Sequence, residues 1–235
     1  MTKTNRLWEL DALRGVMILM VVYIHLCFDL DYFLGIDVVK NPVLQYCMDH
    51  CGVSFVALSG LSATIGRRSF RRGLQVFGCG MVITVVTAGM YLLNMADKFI
   101  IIYFGVLHLL GVCMMLWVWL RKLPLWARAV LGVGCVLLGR WFMTFTVSAG
   151  WLFPLGLTTP GFSSSDFFPL FPGLGWFLLG SCAGSLLYKE KRSLLPNFPA
   201  ENFPVRFFRF CGTHSLWIYL IHQPVLYGIV SLIPS

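Results

Sequence analysis

The chain has 235 residues, 58% of them hydrophobic and only 12% charged, and its mean hydropathy is +0.79. A soluble domain carries about 25% charged residues, so the composition excludes an ordinary water-soluble protein. The formal net charge of +8 does not indicate nucleic acid, because the basic residues sit in short connections between apolar blocks and form no stripe interleaved with aromatics.

The apolar blocks are long enough to cross a hydrocarbon core of about 30 Å as helix. Helix also leaves no backbone group unpaired in lipid, whereas a β-barrel would need short alternating segments that are not visible. The expected fold class is therefore all-α, a polytopic transmembrane helix bundle of about seven helices, forming a single integral membrane domain over 1–235. The spans are predicted at 12–34, 43–65, 73–93, 99–120, 125–146, 171–188 and 213–233. Lys3 and Arg6 precede the first span and no small-residue cleavage site follows it, so it is expected to remain in the mature protein.

Two connections are long. Residues 147–170 contain Pro154, Pro160, Pro169 and Ser163–Ser165, and their apolar start, Trp151–Leu157, is a candidate re-entrant segment. Residues 189–210 contain Pro196, Pro199 and Pro204 and read as a loop. The absence of a visible internal repeat counts against the common secondary-transporter folds.

Orientation follows from the basic residues. All Lys and Arg except Lys40, Lys98 and Arg140 fall at the N-terminal end of the first span or in connections on that same side. The positive-inside rule then puts the N-terminus inside and the C-terminus outside, as in a multi-pass protein of the cytoplasmic membrane. Asp29, Asp31, Asp37, Asp49, Asp97 and Asp166 gather on the outer side. They are either the mirror image of the basic bias or the lining of an external acceptor site.

Ionisable groups at membrane depth are costly and mark function. His25, His108 and His222 each fall roughly 13–16 Å from a membrane face at 1.5 Å per residue. Each alone could simply bond a neighbouring helix; three at one depth point to a shared polar cavity, and imidazole can take or give a proton there. Asp29 lies one turn beyond His25 and shares its helix face. Asp11 and Arg14 are spaced to pair with each other or to meet a ligand. Arg67, Arg68, Arg71 and Arg72 suit either anionic headgroups or a phosphorylated ligand. Cys47, Asp49, His50 and Cys51 form a loose cluster without a second Cys/His pair, so no metal is expected. The other cysteines lie mostly in apolar blocks as small hydrophobes. The Gly180–Gly184 spacing and the Ser62/Gly66 pair suggest close helix packing.

Leu10-Asp11-Ala12-Leu13-Arg14-Gly15, followed by an apolar run ending in His25, resembles the first-helix signature of the transmembrane acyltransferase superfamily. The segments Phe55–Gly60, Tyr103–His108, Asp166–Pro172 and His214–His222 are similar to a narrower branch, the bacterial relatives of the heparan-alpha-glucosaminide N-acetyltransferase catalytic domain. The resemblance implies a membrane acyltransferase that takes an acetyl group from cytoplasmic acetyl-CoA and delivers it to an amino sugar, glycan or similar small acceptor on the far side.

On this reading His25 is the base and Asp29 its partner. Arg14 and the Arg67, Arg68, Arg71, Arg72 loop hold the CoA phosphates, and His108, His222 and Asp166 line the acyl passage or acceptor site. The lysosomal branch differs, with an asparagine-like position where His25 stands and its histidine in the following segment. Residues 30–45 contain no histidine here, which leaves His50 as the other candidate base. Membrane lipid is the expected environment and nucleic acid is not an expected partner; whether the chain forms a homo-oligomer stays open. The rival reading is a proton-coupled transporter with the three histidines as a relay; a non-catalytic membrane scaffold is a third.

Overall fold

The computed structural model describes residues 7–35, 40–66, 68–230 and 232, and all regular structure among them is helical. Eight α-helices follow in order: α1 Trp8–Leu34, α2 Pro42–Ala63, α3 Ser69–Leu92, α4 Val106–Leu120, α5 Leu125–Phe142, α6 Leu170–Leu187, α7 Phe203–Thr213 and α8 Ser215–Val230. Short 3-10 turns lie at Lys98–Ile100 and Gly150–Leu155. An isolated parallel bridge joins Phe104 to Phe167.

Each of the seven predicted spans contains a helix, and several boundaries move, most of all the start of the fourth. The fourth helix begins at Val106 rather than 99, because the chain from Ile101 to Gly105 is extended. The fifth ends at Phe142. The connection at 189–210 hides the start of an eighth helix, α7. Pro204 sits in its first turn, where a missing N–H breaks no intrahelical bond. The candidate re-entrant stretch is the 3-10 turn Gly150–Leu155, with Trp151 exposed.

Helices α1, α3, α5 and α6 are long and apolar enough to cross a membrane, and α4 and α8 are apolar but shorter. The outward faces are apolar: Val82, Val85 and Val86 on α3, and Val130, Val133 and Leu137 on α5, are all exposed. Stripes of this kind suit lipid rather than water. The molecule is a multi-pass membrane protein. Residues 1–6 and 233–235, on which the expected sidedness of the termini falls, lie outside the described residues, as do Asp37 and Arg67.

The chain divides into two compact units, Met1–Phe55 with Tyr188–Ser235, and Val56–Leu187. In the first, α1 packs against α7 and α8. A Cβ on Gly15 would collide with the Phe208 carbonyl, and one on Gly212 with the Asp11 carbonyl, so the α1 and α7 backbones touch as small residues allow. Glu9 ties the end of α1 to the incoming chain, accepting from Ser193 Oγ at 3.1 Å and Leu194 N at 3.0 Å. Trp8 stacks on Phe198 beside it.

In the second unit α3 pairs with α4 and α5 with α6. Phe177, Leu109, Leu178 and Cys113 form its centre. The Gly180–Gly184 spacing is a packing face, since Gly180 abuts the Ala57 carbonyl and Gly184 the Leu61 carbonyl. Gly66 differs: a Cβ there would meet nothing nearer than 3.8 Å, so it marks no tight contact.

Candidate functional site

The first unit brings together four polar side chains from α1 and α8. His25 and His222 meet edge to face, with ring centroids 4.8 Å apart. Nδ1 of His25 is 2.9 Å from the Val21 carbonyl, and Nδ1 of His222 contacts the Tyr219 carbonyl. A carbonyl only accepts, so Nδ1 carries a proton in both rings, and in the neutral imidazole Nε2 is then the acceptor. Nε2 of His222 is buried and has no hydrogen-bond partner.

Asp29 lies beside them, 3% exposed. Its two carboxylate oxygens accept from Gln223 Nε2, at 3.0 and 3.2 Å. Because the amide nitrogen must face the carboxylate, Gln223 Oε1 faces away, buried and unpartnered. The site thus holds two buried acceptors, His222 Nε2 and Gln223 Oε1, with no protein donor. Asp29 does not orient His25 by a hydrogen bond. Helical side chains lean toward the helix N-terminus, so the imidazole bonds back to Val21 and away from Asp29.

Other predicted residues of this unit stand apart from the pair. Arg14 Nη1 contacts Asp11 at 3.0 Å. His50 is exposed on α2, stacked on Tyr46 and bonded to the Tyr46 carbonyl. Cys51 is buried, with its thiol directed at the Met17 carbonyl. Among the described residues no group of three or more His, Cys, Asp or Glu gathers as metal ligands would.

His108 and Asp166 belong to the second unit. His108 lies in the first turn of α4, not nine residues into a helix, and beside Gly80, midway along α3. Its Nδ1 accepts the Gly105 N–H at 3.2 Å. Nε2–H then faces Thr84 Oγ1 at 3.3 Å, which passes its own proton to the Ile102 carbonyl at 2.6 Å. Both ring nitrogens are therefore engaged, and Phe77 and Phe104 close on the ring. Asp166 Oδ2 accepts the Val106 N–H at 3.2 Å, a carboxylate at the positive end of α4. These two residues build the start of that helix.

A cavity of about 380 Å³ opens in the same unit, lined by Arg68, Ser69, Phe70, Arg71, Val118 and Arg121. Of the five arginines expected for the CoA phosphates, Arg68 and Arg71 are here, and Arg14 belongs to the other unit. Arg72 is exposed and does not line the cavity, and Arg67 lies outside the described residues. Arg121, from the turn after α4, is a third cation that the loop-centred reading missed. Among the described residues none of the three pairs with a carboxylate.

The chain matches the catalytic domain of heparan-alpha-glucosaminide N-acetyltransferase over residues 6–224. It belongs to that family. No curated protein and no solved structure matches it. As a heparan-alpha-glucosaminide N-acetyltransferase family member it is a transferase of the acetyltransferase type set in a membrane.

The matched region contains both the His25–His222 pair and the arginine-lined cavity. Two residues of this family member escaped sequence reasoning. Gln223 is a neutral amide inside an apolar run, with only its place next to His222 as a signal. Arg121 closes the fourth apolar block beside Lys122, a cue read only as orientation.

Proposed function

We propose that the protein transfers an acetyl group from cytoplasmic acetyl-CoA to an amino sugar, glycan or similar small acceptor on the outer side of a bacterial cytoplasmic membrane. The whole chain acts as one acyltransferase domain, with the N-terminus inside and the C-terminus outside. The observation that carries this reading is the His25–His222 pair, two imidazoles at 4.8 Å whose Nδ1 atoms are held by carbonyls. A neutral imidazole whose Nε2 lone pair is free can act as a general base.

His25 Nε2 takes the proton from the acceptor amine or hydroxyl as that atom attacks the thioester carbonyl. The new C–N or C–O bond forms, the C–S bond breaks, and CoA leaves as a thiolate that takes up a proton. His222 and Gln223 supply acceptors that orient the attacking group, and Asp29 keeps Gln223 in place. Arg68, Arg71 and Arg121 attract the CoA phosphates, with the remaining basic residues Arg14, Arg67 and Arg72 adding to the positive field of the cytoplasmic side. His108 and Asp166 serve the reaction by fixing the start of α4.

The test is incubation of purified protein in lipid nanodiscs with radiolabelled acetyl-CoA and a panel of amino sugars, glycans and lipids. Label should move to at least one acceptor and should fail to move with folded His25→Ala. Absence of transfer to every acceptor, together with absence of CoA binding by calorimetry, would refute the reading.

A further inference from the structure

Arg128 stands in the first turn of α5 and is 8% exposed. Its Nη1 donates to Ser185 Oγ at 3.1 Å and to Ser181 Oγ at 3.4 Å. Both serine hydroxyls spend their own protons on backbone carbonyls, Leu178 and Ser181, so each can only accept from the guanidinium. The Arg128 Cζ lies over the Trp117 ring, 5.4 Å from its centroid, and Trp117 is itself fixed by donation to the Ala63 carbonyl at 3.0 Å.

The opposite edge of the guanidinium is open among the described residues: Nε is buried without an acceptor, and none of them bonds Nη2. No carboxylate pairs with Arg128 among the described residues. A guanidinium keeps its charge and cannot relieve burial by losing a proton. A buried charge without a partner is strongly unfavourable, and hydroxyls and an aromatic face bring no negative charge.

The geometry of the free edge is specific. Nε–H and the adjacent Nη2–H form the side-on fork that matches two oxygens of a phosphate. The serines fix the other edge and the indole backs the guanidinium carbon, so the fork is held before any ligand arrives. Trp117 closes α4, Arg128 opens α5, and Ser181 and Ser185 lie in the last turns of α6. These meet at the end of the unit that bears the Arg121–Lys122 turn, the expected cytoplasmic end.

We propose that Arg128, set by Ser181, Ser185 and Trp117, is a phosphate-binding site that takes one phosphate group through its Nε/Nη2 fork. The phosphate belongs either to the CoA co-substrate or to an anionic lipid head group. The first source rests on the proposed acetyl-CoA reading; the second does not.

The experiment uses full-length protein in nanodiscs. In pure phosphatidylcholine discs, CoA and inorganic pyrophosphate are titrated by calorimetry against native protein, Arg128→Lys and Arg128→Gln. The lysine variant keeps the charge and loses the fork. If the phosphate is that of CoA, both variants should bind CoA and pyrophosphate at least about tenfold more weakly, the effect of a lost charged hydrogen bond. If it is a lipid phosphate, CoA affinity should not change, and adding phosphatidylglycerol should raise the melting temperature of native protein but not of Arg128→Lys.

Should neither variant fold, the test passes to the triple variant Arg68→Gln, Arg71→Gln, Arg121→Gln, which leaves Arg128 as the site to be filled. Pyrophosphate or phosphatidylglycerol must then still raise its melting temperature. The proposal is overturned if folded Arg128→Lys matches native protein in all these readings, or if the triple variant responds to neither probe. A native protein that binds no CoA, yet is stabilised by phosphatidylglycerol through Arg128, would sink the donor assignment and keep this site.

Discussion

Gln223 donates from one amide nitrogen to both carboxylate oxygens of Asp29, at 3.0 and 3.2 Å, across 194 residues of sequence. The contact locks α8 to α1 beside the histidine pair. A hydrogen bond to a charged group contributes about 1.5–3 kcal/mol. Gln223→Leu should therefore lower the melting temperature, because it leaves a carboxylate at 3% exposure without that donor. Asp29→Asn combined with Gln223→Leu should lose less than the sum of the single changes, with a coupling of about 0.5–3 kcal/mol. Strict additivity in thermal or denaturant unfolding would show that the bond has no energetic weight.

Removing the base should affect chemistry and not donor binding. His25→Ala is expected to cut acetyl transfer by about 10²–10⁴-fold, the usual contribution of a general base, with CoA affinity within a few-fold of native. His222→Ala should also reduce transfer, since its Nε2 lies in the same cluster. Full transfer by a monodisperse His25→Ala protein would move the base to His222 or His50.

Donor binding should follow the cavity rather than the sequence cluster. Arg121→Gln is expected to weaken CoA as much as Arg68→Gln or Arg71→Gln, and Arg72→Gln less than any of them. Native affinity should fall as salt is raised, because exposed charge contacts are screened over about 8–10 Å at physiological ionic strength. Calorimetry on the four variants decides this; equal loss from Arg72→Gln would return the site to the loop.

His108→Ala should act on stability. It leaves the Gly105 N–H without its acceptor and removes the donor to Thr84, and an unsatisfied buried group costs about 1–3 kcal/mol. The melting temperature should drop, while transfer per folded molecule stays within a few-fold of native. A folded, thermally native His108→Ala protein with abolished transfer would make this histidine a participant in the chemistry.

Gly212→Leu should be among the most damaging single changes in the first unit. Its side chain would enter the Asp11 carbonyl across the α1–α7 contact, and overpacking typically costs about 1–3 kcal/mol. Gly228→Ala, where a Cβ meets nothing within 4 Å, is the matched control. Equal melting temperatures for the two would contradict the close approach of α1 and α7.

The helices within the seven predicted spans were legible because an apolar block of membrane length has few other uses. His25 and His222 were legible as polar groups in such blocks, although only the packing of α1 on α8 pairs them. The start of α4 was not legible. Residues 99–105 are as apolar as the helix after them, and the group that anchors Val106 is Asp166, 60 residues away. That distance hid the true place of His108. Helix α7 was masked by Pro204 and by Arg206 and Arg209, which read as a polar connection. Gln223 carries no charge, so nothing in its local sequence announced a partner on α1.

The lengths of the helices in the second unit bear on which bilayer the protein fits. Helices α5 and α6 have 18 residues each and α4 has 15, which gives rises of about 27 and 22 Å at 1.5 Å per residue. A typical hydrocarbon core is about 30 Å thick. A span shorter than the core is met by local thinning of the bilayer or by end side chains reaching for the interface, whereas α3 of the same unit, with 24 residues, is not short in this way. Hydrophobic mismatch at α4, α5 and α6 should therefore make lipid chain length a variable that acts on this unit, even where no lipid touches the His25–His222 pair.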